Sequence, residues 1–140
     1  LGGGGGGGGE LRSSKAISKF KDIAYSGVWR DDGKLVVAGC AQPIVKLFDA
    51  ATRTPLRLFK GHSGAVRAAR FSSDTARIAT ASDDYSVRLW DVPTAKAVTV
   101  LNGHTDYCRT LSPSPSSPQL WVSGSYDGSV RIWDARSGGG

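Results

Sequence analysis

Apolar and polar positions along this chain fall into one pattern written three times. The runs Leu35-Val36-Val37-Ala38-Gly39, Arg77-Ile78-Ala79-Thr80-Ala81 and Gln119-Leu120-Trp121-Val122-Ser123 are largely apolar and bounded by Gly, Asp, Ser or Pro. Short apolar runs between such punctuators predict buried strands. A second run follows each of them, Ile44 to Phe48, Ser86 to Trp90 and Ser129 to Trp133, and in it a cation alternates with apolar residues. That two-residue period belongs to a half-exposed strand, and it places Lys46, Arg88 and Arg131 on one face. Ile23 to Trp29, Val66 to Phe71 and Tyr107 to Leu111 read as strands leading into these runs, and Pro55 to Phe59 and Ala95 to Leu101 as strands leaving them. The expectation is an all-β chain built in four-stranded antiparallel units, with no helix.

Two sets of markers give the same period. Leu47-Phe48-Asp49, Leu89-Trp90-Asp91 and Ile132-Trp133-Asp134 recur at steps of 42 and 43 residues, and Gly61-His62 and Gly103-His104 are again 42 apart. His62 to Thr80 spans 18 residues where His104 to Ser123 spans 19, so the extra residue falls in Ser112-Pro113-Ser114-Pro115-Ser116-Ser117-Pro118. Three prolines there withhold ladder donors and predict a stiff exposed loop between the first two strands of that unit. A period near 42 with Gly-His and Trp-Asp markers resembles the WD40 repeat family, whose units are the blades of a β-propeller.

That resemblance implies a buried hydrogen-bonded tetrad in each blade, formed here by His62, Thr80, Asp84 and Trp90 and then by His104, Ser123, Asp127 and Trp133. A fully satisfied polar network is cohesive in a low-dielectric interior, and a half-satisfied one is costly. The first unit offers Phe20, Ala38, Gln42 and Phe48 at the matching places and is expected to rely on apolar packing. The predicted fold is a partial WD40 propeller, three four-stranded blades of a seven-bladed ring. Such a ring needs roughly 300 residues, and the chain has 140. The expected organisation is a Gly-rich disordered segment 1–14, blades over 15–136 and a Gly-rich tail 137–140. Within the blades, 15–22 ends a preceding unit, 23–59 and 62–101 are two blades, and 104–136 is an incomplete third.

Candidate chemistry narrows quickly. The only histidines, His62 and His104, are accounted for by their repeat positions, as are Asp84 and Asp127. Cys40 and Cys108 lack metal or redox spacing and read as reduced thiols on strands. No Gly-x-Ser-x-Gly elbow, phosphate loop or His-Glu-x-x-His occurs. Gly2 to Gly9 matches a dinucleotide fingerprint only as any homopolymer does, and reads as low complexity. The expectation is therefore no catalytic residue, no metal, no cofactor and no small-molecule substrate. No apolar stretch approaches 18 residues, and no membrane partner is expected. Eighteen Lys and Arg against twelve Asp and Glu give a formal charge of +6, which favours acidic partners, among them RNA and DNA. The cations are dispersed, with no run of five, and no aromatic platform of a recognised nucleic-acid-binding kind stands out.

Longer runs carry a narrower resemblance. Ser18-Lys19-Phe20-Lys21-Asp22-Ile23-Ala24-Tyr25-Ser26-Gly27, Asp32-Gly33-Lys34-Leu35-Val36-Val37-Ala38-Gly39, Leu56-Arg57-Leu58-Phe59-Lys60-Gly61-His62, Asp83-Asp84-Tyr85-Ser86-Val87 and His104-Thr105-Asp106-Tyr107-Cys108-Arg109 resemble the WD40 family numbered fifteen among the U3 small nucleolar RNA-associated proteins. The resemblance covers about residues 15 to 136. It implies a non-enzymatic scaffold subunit of the nucleolar small-subunit processome, whose partners are other processome proteins and, directly or indirectly, pre-ribosomal RNA or the U3 small nucleolar RNP. A rival is written in Trp121 to Arg136, which is similar to the sixteen-residue box of WD40 substrate receptors in cullin-RING ubiquitin ligases. In that box Arg136 is the adaptor contact, and the second unit has Pro93 at its place. A generic protein-interaction scaffold is the third alternative.

Overall fold

A computed structural model describes Ser14, Ala16 and residues 23–137. The Gly-rich segment, the expected end of a preceding unit and the final glycines lie almost entirely outside the described residues, and Phe20 lies outside them too. The described chain is all-β, with eleven strands in three antiparallel sheets. In the first, β1 (Ala24–Trp29), β2 (Leu35–Cys40), β3 (Ile44–Asp49) and β4 (Thr54–Lys60) lie side by side in chain order. The second repeats this with β5 (Val66–Phe71), β6 (Arg77–Ser82), β7 (Val87–Asp91) and β8 (Ala97–Leu101). The third holds β9 (Cys108–Pro113), β10 (Leu120–Ser125) and β11 (Val130–Asp134). After Asp134 the described chain turns into a single 3-10 turn, Ala135–Ser137.

Registers repeat from sheet to sheet. Val36↔Phe48, Ile78↔Trp90 and Trp121↔Trp133 are matching pairs, as are Ala38↔Lys46, Thr80↔Arg88 and Ser123↔Arg131. Because side chains alternate across a strand, β6 sends Ile78 into a core shared with the first sheet and Ala79 and Ala81 into one shared with the third. The first core joins Val37, Val45, Leu47 and Phe59 to Val66, Phe71, Ile78 and Trp90. The second joins Val87, Leu89 and Leu101 to Cys108, Leu111, Trp121 and Trp133. Burying an aromatic side chain removes about 150–250 Å² from water, which contributes on the order of 4–6 kcal/mol before conformational entropy is counted. The far face of the third sheet stays open, with Val130 73% and Ile132 75% exposed.

The one-residue difference in period has a visible place. Phe71↔Ile78 closes the β5–β6 ladder and Pro113↔Trp121 closes the β9–β10 ladder, so the added residue sits in the β9–β10 turn. Ser112 and Pro113 still belong to β9. Beyond them the Ser114 hydroxyl accepts the backbone N–H groups of Ser116 and Ser117, at 3.4 and 3.2 Å. The Gly-His markers have a steric origin. A Cβ on Gly61 would lie 3.0 Å from the Trp90 ring and 3.1 Å from the Arg88 guanidinium, and one on Gly103 would lie 2.9 Å from Trp133 and 3.1 Å from Arg131. Only glycine lets the chain cross that tightly over the tryptophan.

Candidate functional site

The second sheet brings His62, Thr80, Asp84 and Trp90 into one chain of hydrogen bonds. The Trp90 indole N–H donates to Thr80 Oγ1 at 2.8 Å, Thr80 Oγ1 is 2.6 Å from His62 Nε2, and His62 Nδ1 is 2.8 Å from Asp84 Oδ2. An ionised carboxylate can only accept, so Asp84 assigns the proton to His62 Nδ1 and leaves Nε2 of the neutral imidazole as an acceptor. Thr80 donates its hydroxyl proton to Nε2, and Nδ1–H donates to the carboxylate. Asp84 also accepts the Ser63 and Ser86 backbone N–H groups and the Ser86 hydroxyl, at 3.1, 2.9 and 2.6 Å. In the third sheet the Trp133 indole donates to Ser123 Oγ at 2.7 Å, Ser123 Oγ is 2.7 Å from His104 Nε2, and His104 Nδ1 is 2.9 Å from Asp127 Oδ2. Asp127 also accepts the Thr105 and Ser129 backbone N–H groups and the Ser129 hydroxyl, at 3.0, 2.8 and 2.6 Å.

These bonds set the carboxylates' charge state. Burial on its own would raise the Asp84 pKa, yet the donors from His62 and Ser86 outweigh it and hold the carboxyl well below the usual range. The Ser129 hydroxyl, against some desolvation and with help from His104, does the same for Asp127. Burial pushes the Cys108 thiol the other way, to about 12, helped by the negative charges of Asp84 and Asp127. Its Sγ lies 3.2 Å from the Tyr85 carbonyl, while Cys40 Sγ lies 3.5 Å from that of Gln42. Among the described residues no group of three or more His, Cys, Asp or Glu is placed to hold a metal ion. In the first sheet Ala38 and Phe48 are buried and Gln42 is half-buried. Arg136, largely exposed, is tied to Asp134 by Nε and Nη2 contacts of 3.0 and 2.9 Å.

A second constellation lies at one end of the sheets, and the strand periodicity gave no sign of it. Each sheet carries a β-bulge in the same place, between Ala24 and Ser26, between Val66 and Ala68, and opposite Gly124 and Ser125. An unpaired residue in a bulge is turned away from the alternating pattern, and here these residues are Tyr25, Arg67 and Arg109. The Arg67 guanidinium stacks on Tyr25 at 3.9 Å from the ring centre and grips Asp83 with contacts of 3.0 and 2.8 Å. Arg109 lies over Tyr126 at 4.1 Å and Tyr107 at 5.2 Å. Tyr107 in turn neighbours Tyr126 and Tyr85, with ring centres 5.9 and 6.2 Å apart. The available signal was registry: Tyr25, Arg67 and Arg109 fall 42 residues apart.

Comparison with known proteins places this geometry in a family. Residues 53–91 and 95–134 match the model of the WD domain, G-beta repeat. The chain is 46% identical over 123 residues to U3 small nucleolar RNA-associated protein 15 homolog of Xenopus tropicalis, covering 88% of this chain and 24% of that protein. It is 43% identical over 128 residues to U3 small nucleolar RNA-associated protein 15 of Saccharomyces cerevisiae, 89% of this chain and 25% of that one. Against Protein SLOW WALKER 1 of Arabidopsis thaliana the identity is 37% over 111 residues, 79% and 21% of the two chains. The chain thus spans about a quarter of the length of the curated relatives it matches. With two matched repeats, a matching strand register in all three sheets and Trp-Asp ends on two of them, the chain belongs to the WD40 family.

Proposed function

We propose that this chain is part of a non-catalytic WD40 scaffold of the small-subunit processome, acting in the nucleolus where pre-ribosomal RNA is transcribed and processed. The observation that carries the reading is the 43–46% identity along nearly nine-tenths of the chain to relatives from frog and yeast named as U3 small nucleolar RNA-associated proteins. The eight tetrad residues act in this reading as blade-holding groups, since every polar atom of each relay has a partner within the blade. Rigid blades then present turns and bulges to other processome proteins, and the excess of cations keeps the scaffold compatible with nearby RNA.

One pull-down separates this from the ligase-receptor reading. The tagged intact protein should enrich pre-ribosomal RNA and the U3 small nucleolar RNP, and Arg136→Ala should leave that enrichment unchanged. Recovery of a cullin adaptor that Arg136→Ala abolishes, with no ribosomal RNA precursor enriched, overturns the processome reading. An interfacial guanidinium that makes several directional contacts contributes about 2 kcal/mol or more, so such a loss would be plain.

A further inference from the structure

The Tyr85, Tyr107 and Tyr126 cluster with Arg109 has no part in the blade-holding relays. Tyr126 is 63% exposed, Tyr85 46% and Tyr107 38%, in a molecule whose other aromatic side chains mostly fill its two cores. The rings come from three separate turns and follow one another at about 6 Å. Arg109 has no carboxylate partner among the described residues, and its buried Nε makes no hydrogen bond. Its charge is therefore held against the rings, unlike that of Arg67, which Asp83 neutralises. Tyr85 also sits at φ +77°, in the left-handed region that a bulky side chain rarely adopts. Strain of this kind persists where the surroundings impose it, and it gathers at functional sites.

We propose that this rim binds single-stranded RNA, with unpaired bases stacking on Tyr126 and Tyr107 and a phosphate lying against Arg109. The inference rests on the processome reading for the identity of the nucleic acid. A row of exposed π-faces beside an unneutralised guanidinium is the arrangement that holds single strands without reading sequence, because every base has a face to stack. A protein partner would instead favour an apolar pocket that closes over an anchor side chain, and these rings stand open to solvent.

The test uses the intact protein and a fluorescent single-stranded RNA of about ten nucleotides, with the same sequence as a duplex for comparison. Tyr126→Ala should weaken single-strand binding by about ten-fold, and Tyr126→Phe should keep it, since stacking needs the ring and not the hydroxyl. The slope of log affinity against log salt should be the same for wild type and Tyr126→Ala, because that slope counts phosphate contacts. Photo-crosslinking from 5-iodouridine in the strand should mark the peptide that contains Tyr126. Tyr107→Ala extends the series where its melting temperature matches wild type; the exposed Tyr126 carries the test otherwise.

Single-strand affinity within about two-fold of wild type in Tyr126→Ala, or crosslinks confined to other peptides, overturns the proposal. So does the loss of a protein partner in Tyr126→Ala with RNA binding intact, which makes the rim a protein-docking surface. These results leave the processome assignment standing, because the pull-down scores it separately. Binding of the oligonucleotide lost in Tyr126→Ala, with no ribosomal RNA precursor recovered from cells, would keep the rim and discard the processome.

Discussion

The first and second sheets share a topology and a register but differ in the chemistry at their centres. Ala38 pairs with Lys46 where Thr80 pairs with Arg88, and Val36 faces Phe48 where Ile78 faces Trp90. Both sheets bulge before the aromatic residue of the third strand, at Leu47/Phe48 and at Leu89/Trp90. One centre is apolar, with Phe48 and Ala38 buried; the other is a relay of four polar side chains. The same blade can thus be closed by dispersion and area burial or by a satisfied network. The two solutions fail differently. An apolar centre degrades in proportion to the volume removed, whereas a relay that loses one member strands the groups bonded to it.

The largest separation between the two sheets is expected at the turn that precedes the third strand. Asp84→Ala strands four donors at once: His62 Nδ1, the Ser63 and Ser86 N–H groups and the Ser86 hydroxyl. Its cost should be about 3 kcal/mol. Gln42, at the same repeat position, uses its backbone carbonyl to accept Ile44 N–H, and Gln42→Ala keeps that group. The second change should stay within about 0.5 kcal/mol. Urea unfolding of both variants checks the pair, and equal losses would dissolve the contrast between relay and apolar centre.

Acid should sharpen the comparison next. The folded pKa of Asp84 is depressed, so the unfolded chain binds the proton more readily and stability falls with falling pH. Its contribution is fully present above the unfolded value of about 3.9 and is lost as pH drops from there towards the lower folded value. Asp84→Asn, which cannot titrate, should therefore show a flatter loss of stability between about pH 5 and 2 than the wild type. Unfolding midpoints measured across that range decide it, and parallel curves would mean that the carboxylate carries no linkage. In the first sheet the described residues at the matching places are Ala38, Gln42 and Phe48, and none of these three side chains ionises.

The strands were legible in the sequence because both faces of the middle sheet are covered. Arg77 to Ala81 reads as a nearly continuous apolar run for the reason that Ile78 and Ala79 enter different cores. His62 and Asp84 could be paired on paper only through the repeat, since 22 residues separate them and nothing local draws them together. The tyrosine rim was missed, since the 42-residue registry aligns Tyr25, Arg67 and Arg109 but not the three rings. Bulges break the two-residue period, and the rings come from Tyr85, Tyr107 and Tyr126, whose proximity depends on how neighbouring sheets stack.

The smallest expected effect compares the second and third sheets at one turn residue. Tyr85 and Gly128 occupy the same repeat position, with φ of +77° and +85°, where the first unit has Pro43. An L side chain in this region costs about 1–2 kcal/mol, because its Cβ crowds the following carbonyl. Nothing lies within 4 Å of a Cβ built on Gly128, so Gly128→Ala should cost about 1 kcal/mol from the backbone alone. Tyr85→Gly relieves that strain but forfeits the contact with Tyr107 at 6.2 Å, and a ring contact is worth about 0.5–1.5 kcal/mol. The two terms nearly cancel, and the net change should lie within about 0.5 kcal/mol of zero. Denaturant midpoints of the two single variants read both values. A gain above about 1 kcal/mol for Tyr85→Gly would show that the tyrosine is held at a net cost to the fold, whereas a clear loss would show that the ring stack stabilises the junction between the two sheets.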